Sequence, residues 1–170
     1  MGFFDKLMGK GQPDAPAKIE FPAELGAVAD GTFVAMEQIP DEVFSTGVLG
    51  TCCGVDPTEG KVYAPVDGKI SQLADTLHAV GLEAGGMDIL IHVGVDTVEM
   101  AGNGFTAMVK MGQAVKKGDL LLTVDLDKIR AAGHPTTVIL AVTNSDDFAA
   151  VEPAAADSVK PGDCVLKVSK

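Results

Sequence analysis

From Ile19 onward, this chain is a succession of short apolar stretches, each closed after about ten residues by a Gly, Pro, Asn or Asp turn signal. Long helices cannot be assembled from such pieces, whereas the strands of a sandwich or barrel can. The 20 glycines and nine prolines, set against no tryptophan and one tyrosine, point the same way. The expected fold class is all-β, sandwich or barrel-like, with a few short helices. Strands are predicted at residues 31–35, 61–64, 69–73, 78–82, 88–95, 105–109, 119–124, 138–142 and 164–168. One helix is predicted over Leu126 to Ala132, with Asp125 as its cap and Gly133 as its stop.

A short internal repeat supports the strand reading. VKKGDLLLTV at 115–124 and VKPGDCVLKV at 159–168 share Val, Lys, Gly, Asp, Leu and Val at matching positions. In each copy a Gly-Asp turn feeds an apolar strand, so the two are expected to be equivalent corners of one sandwich.

A hydrophobic content of 46% over 170 residues suffices for one domain with a real core, read as residues 19–170. Residues 1–18 are read as an amphipathic N-terminal segment and a linker. In MGFFDKLMGK, Phe3, Phe4, Leu7 and Met8 share one side in helical register. Residues 1–8 therefore either lie on a membrane surface or form a frayed N-terminus or a piece tucked onto the domain. Lys6 stands where N-myristoylation needs Ser or Thr. GKGQPDAPAK, residues 9–18, reads as the flexible linker.

No stretch approaches the length of a membrane span, and the first residues lack the apolar region of a secretory signal. Cysteines are three, with no CxxC, so neither a disulfide framework nor a cysteine zinc site is suggested. The expected location is the cytoplasm, with membrane association through the N-terminus. A net charge of −11 argues against nucleic-acid partners, whose phosphates would be repelled.

One stretch carries chemistry. In ILIHVGVDTV, residues 89–98, strand alternation puts Ile89, Ile91, Val93 and Val95 on one face and Leu90, His92 and Gly94 on the other. The β-branched face is core. His92 then lies on the second face, with Gly94 expected to leave open space beside its ring. A lone strand histidine is more commonly satisfied by a backbone carbonyl, but a second one, His78, falls on a predicted neighbouring strand. A metal site would need a third protein ligand, and no HxH, HExxH or CxxC spacing supplies one.

A catalytic pair demands less. Neutral imidazole can attack phosphorus without first losing a proton, so His92 suits a temporary phosphoryl carrier. A backbone carbonyl near Gly94 would hold its other nitrogen. His78 could donate to a phosphoryl oxygen, oriented by the hydroxyl of Thr76 on the same strand face. Asp96 would either destabilise a nearby phosphate by repulsion, keeping it transferable, or cap the turn before Thr97.

At these residues the sequence resembles the glucose family of IIA domains of the bacterial sugar phosphotransferase system. MGFFDKL, IPDEVFSTGVLG, GKVYAPVDGKI, TLHAVG, ILIHVGVDTVEMAGNGF, GQAVKKGDLLLTVDLDKI and the TN at 143–144 carry the likeness, in family order. HVGVDTVE followed by GNGF is its specific part. The resemblance implies an antiparallel β-sandwich that accepts a phosphoryl group from the carrier protein HPr on His92. It would pass the group to a cysteine of the IIB domain of a IIB/IIC sugar permease. His78 would be the hydrogen-bonding partner and Thr76 the supporting hydroxyl.

The resemblance also implies a docking rim at Val43, Phe44, Val48 and Leu49, of which Val48 reads more readily as ordinary core than Phe44. No cofactor is required, although family members can bind zinc through the pair equivalent to His78 and His92 when a partner adds a carboxylate. TCCGVDP departs from a more usual small segment, and Ala101 and Asn103 stand where relatives are often charged. His134 matches no motif position and is expected at the surface.

Two other functions compete. A swinging-arm carrier would use Lys128 in LLTVDLDKI as a lipoyl- or biotinyl-bearing lysine, and would have no use for either histidine. A noncatalytic regulatory module would dock on permeases through the apolar rim.

Overall fold

The computed structural model describes residues 19–155 and 157–170. The amphipathic segment at residues 1–8 and the linker at 9–18 lie outside the described residues. In chain order the strands begin with β1 (Ala23–Gly26), β2 (Gly31–Val34), β3 (Thr51–Pro57), β4 (Lys61–Tyr63) and β5 (Gly68–Leu73). Next come β6 (Ala79–Ala84), β7 (Met87–Val93), β8 (Phe105–Ala107), β9 (Ala114–Val115) and β10 (Leu120–Val124). The series ends with β11 (Val138–Val142), β12 (Ala150–Pro153), β13 (Ser158–Val159) and β14 (Cys164–Ser169). Two short helices, α1 (Glu42–Ser45) and α2 (Leu126–Ala131), and three single 3₁₀ turns complete the described chain.

The strands pair antiparallel into one sheet of order β13-β2-β3-β11-β7-β6-β5-β9 and two smaller ones, β1-β14-β12 and β4-β10-β8. The arrangement is the expected sandwich. Its main core collects buried side chains from the large sheet and both small ones, among them Leu25, Ile70, Ile91, Leu122, Leu140 and Leu166. Alternation along β7 follows the sequence reading: Ile89, Ile91 and Val93 are buried in that core, while Leu90 and His92 are half-buried on the other face.

Both copies of the repeat are corners where the chain leaves the large sheet for a small one, between β9 and β10 and between β13 and β14. Their hydrogen bonding is the same. The Lys116 amide donates to Asp119 Oδ2 at 2.9 Å and the Asp119 amide to the Lys116 carbonyl at 2.9 Å. Lys160 and Asp163 repeat both bonds at 2.9 Å. Gly118 and Gly162 have φ of 92° and 97°, the left-handed conformation such a turn requires at its third residue, and Pro161 fits the second.

Several expectations need correction. Five strands were not legible: β1, β3, β9, β12 and β13. Two have only two residues, too short for a period to register. TCCGVDP is β3, an interior strand buried on both faces, whose small Cys and Gly residues hide its period. The predicted strand from His78 begins at Ala79, and the one over 88–95 ends at Val93, where Gly94 turns the chain with φ 76°. The predicted helix stands as α2, with the Asp125 carboxylate accepting from the Lys128 amide at 3.2 Å and Gly133 following with φ 86°. α1 was not foreseen, although Asp41 caps it by accepting from the Val43 amide at 2.9 Å.

Candidate active site

β7 delivers His92 to the sheet face away from the main core, with Ile139 of β11 on one side and Ala79 of β6 on the other. One residue before β6, His78 reaches the same place. The rings meet edge to face with centroids 5.1 Å apart, although they come from different strand–turn units. The backbone closes the arrangement, because the Val93 amide donates to the His78 carbonyl at 2.7 Å.

Each ring is held through Nδ1. His92 Nδ1 lies 2.8 Å from the Gly94 carbonyl oxygen, as expected, so this nitrogen carries the proton and Nε2 keeps its lone pair. His78 Nδ1 is hydrogen-bonded to the Thr76 hydroxyl. Thr76 does this from a turn, not from a strand face. The Leu77 amide donates to the Ala74 carbonyl at 2.8 Å, and Leu77 itself takes φ 58°, which folds residue 76 back toward residue 78. A leucine in the left-handed region is uncommon, and such strain collects where surrounding structure over-determines a site.

Gly94 does not provide open space. A Cβ there would stand 2.4 Å from Thr97 Cγ2 and 3.0 Å from the Pro135 carbonyl oxygen, and φ is 76°. The glycine is required by conformation and by close approach. Asp96 is exposed immediately before the Thr97–Met100 turn, with φ 61°, and its side chain makes no capping bond. Its charge acts on His92 instead, as one of the minor influences favouring the protonated ring.

Burial lowers the pKa of His92 below its ordinary value of 6.5, opposed by the hydrogen bond to Gly94; His78 lowers it further, while Asp41 and Asp96 raise it. Burial also lowers the pKa of His78. Both imidazoles are therefore kept neutral at pH 7.

The apolar rim divides. Phe44 is only 3% exposed and packs its ring on His92 at 5.1 Å between centroids and 55° between planes. Val48 is 73% exposed, the reverse of its expected burial, and Val43 and Leu49 are also exposed. A helix of a single turn turns one side inward: Phe44 enters and Val43 faces out. Val98, in the Thr97–Met100 turn, is a further exposed apolar residue that the sequence reading did not single out.

Phe44 joins Val34, Ile39, Cys52, Ile139 and Ala141 in a second, smaller apolar cluster. There the Cys52 thiol donates to the Phe44 carbonyl at 3.3 Å. Burial, reinforced by Glu37, pushes the Cys52 thiol up to about 11, and burial also raises Cys53 on the opposite face of β3. Neither is a thiolate near neutrality.

Lys128 does not project from a hairpin turn. It lies in α2 with Nζ 3.2 Å from Asn103 Oδ1, so the geometry of a swinging-arm lysine is missing. His134 is half-buried, not a surface residue: its side chain is 14% exposed, with Nε2 3.9 Å from Glu99 Oε1. Among the described residues no three His, Cys, Asp or Glu side chains cluster as a metal set.

The profile of the phosphoenolpyruvate-dependent sugar phosphotransferase system, EIIA 1, family matches residues 23–148. The chain belongs to this family. As an EIIA 1 member it is 44% identical over 158 residues to the glucose-specific EIIA component of Bacillus cereus, covering 92% of this chain and 87% of that protein. It is 44% identical over 156 residues to the β-glucoside-specific EIIBCA component of Dickeya chrysanthemi, covering 86% of this chain. The chain spans only 25% of that component, and only 20% of the glucose-specific EIICBA component of Streptococcus pneumoniae. Glucose permease IIA from Mycoplasma capricolum superposes with a TM-score of 0.75 at 33% identity, over 85% of this chain and 94% of that one. The EIIA 1 chain is thus a component of sugar phosphotransferase machinery, and among its described residues no helix is long and apolar enough to cross a membrane.

Proposed function

We propose that the chain is a phosphocarrier that takes a phosphoryl group on Nε2 of His92 from the phosphohistidine of HPr and passes it to a cysteine of a permease IIB domain. The observation that carries this reading is the pair of facing imidazoles whose Nδ1 atoms are both engaged, one by a carbonyl and the other by a hydroxyl. With Nδ1–H of His92 donated to Gly94, the Nε2 lone pair attacks phosphorus as the donor's N–P bond breaks. With Thr76 donating to Nδ1 of His78, that ring keeps its proton on Nε2 and offers it to a phosphoryl oxygen. In the second transfer a cysteine thiolate attacks phosphorus and the N–P bond to His92 breaks.

Phe44 shields one flank of the His92 ring, and a partner seated on Val43, Val48, Leu49 and Val98 would exclude water, strengthening these interactions and slowing hydrolysis. Transfer calls on no cofactor. Zinc would fit the two Nε2 atoms only with further ligands from a docked partner, and would then tie the partner to the site. Residues 1–8 are assigned to the membrane surface, bringing the carrier to its permease. Deleting them should reduce vesicle binding and leave acceptance from soluble HPr unchanged; lost acceptance would place the segment in the fold.

The test is labelling by phospho-HPr. His92→Ala should take up no phosphate, whereas His78→Gln should accept it and fail to pass it to IIB. Undiminished labelling of His92→Ala would overturn the assignment.

A further inference from the structure

The ring of His92 is oriented by one carbonyl, so whatever orients that carbonyl shares control of the nucleophile. The carbonyl of Gly94 and the amide of Val95 belong to a single planar peptide unit. The Val95 amide donates to the Pro135 carbonyl at 3.2 Å, and the preceding amide, that of Gly94, donates to the Thr137 carbonyl at 2.8 Å. Residues 135–137 therefore hold this peptide unit and the one before it, and donation by Val95 polarises the carbonyl that His92 uses.

This gripping segment lies just before β11, beyond the last paired row Val55–Val138–Val93. The next row of the sheet is Asp56, Thr137 and Gly94. Beyond the regular ladder, a strand end preceded by a loop and held to β7 by the Gly94–Thr137 backbone bond would fray unless further tied. Thr137 is nearly fully buried, and its hydroxyl donates to Asp56 Oδ1 at 2.6 Å across the row, while its methyl lies over Gly54.

We infer that Asp56 and Thr137 are positioning residues of the phosphoryl-accepting site: their side-chain hydrogen bond anchors the Pro135–Thr137 segment, which holds the Gly94–Val95 peptide and so fixes the tautomer of His92. Neither touches the ring. The role rests on the phosphocarrier reading, but the tautomer it predicts is measurable without any transfer.

The experiment compares Asp56→Ala, Asp56→Asn, Thr137→Val and Thr137→Ser in the full chain, by ¹⁵N signals of the His92 ring at pH 8 and by steady-state acceptance from phospho-HPr. Asp56→Asn keeps an acceptor oxygen and Thr137→Ser keeps the hydroxyl, so both should retain the wild-type tautomer and rate. Asp56→Ala and Thr137→Val should show a mixture of tautomers. In these two, kcat should fall about fivefold, the equivalent of one ordinary hydrogen bond, with KM for phospho-HPr unchanged. A wild-type tautomer and kcat in both folded variants would overturn the inference, as would equal losses in the conservative pair. If the wild-type chain itself takes no phosphate, the phosphocarrier reading falls, and the ring signals alone decide the positioning role.

Discussion

The two faces of the large sheet do different work, and β11 shows it within one strand. Val138, Leu140 and Val142 enter the main core, which joins the large sheet to both small ones. Ile139 and Ala141, their immediate neighbours, belong to the small cluster under Phe44 and His92. All five are buried, so burial does not distinguish them. What differs is what each face excludes water from: one side excludes it from other hydrocarbon, the other from an imidazole. A large shared core can hold the fold while the small one sets the surroundings of an imidazole.

The sharpest way to break this contrast is to truncate neighbours on β11. Leu140→Ala should destabilise by about 3 kcal/mol, as a cavity in a core that cannot collapse, and leave the His92 titration where it is. Ile139→Ala should cost a similar or smaller amount, about 2 kcal/mol, and should also raise the His92 pKa toward its ordinary value, since its ladder partner's bulk is lost. Urea unfolding and NMR titration of the same two proteins test both halves. An unmoved His92 in Ile139→Ala would mean that the small cluster does not set the ring's environment.

A smaller effect is expected from pH. Because burial lowers both histidines in the folded state, the unfolded chain binds protons first as pH falls through 6.5. Their contribution to stability is fully present above pH 6.5 and is lost as pH falls from there to the lowered folded values. Replacing His92 by Gln should flatten part of that loss, read as the difference in unfolding free energy between pH 7.5 and 5.5. A difference that persists unchanged would locate the titration elsewhere.

The smallest stability effect belongs to Val48→Ser. At 73% exposure it should change unfolding by less than about 0.5 kcal/mol, yet weaken association with a IIB domain. Unaltered binding would remove Val48 from the docking rim.

Much of this molecule was legible in advance wherever a rule acts locally. The two VKxGD corners needed only a left-handed glycine and an aspartate able to accept from the backbone three residues earlier. The face of β7 that carries His92 followed from alternation, and α2 from an aspartate cap and a glycine stop. The illegible parts were those whose residues have no local preference. Small thiols and a glycine concealed β3, and although the sequence pointed to the contact between Thr76 and His78, the strained turn that makes it is one no propensity would favour.

By itself the sequence determined where the chain turns, which side of each strand is apolar, and which two histidines could do chemistry. These are consequences of backbone sterics and side-chain period, which act over a few residues. Only the tertiary structure decided that Phe44 lies on His92 while Val48 stays in water, that Asp56 reaches Thr137, and that His78 and His92 touch. Such contacts depend on which strands become neighbours in the sheet, and that choice is made by burying apolar surface across the whole domain.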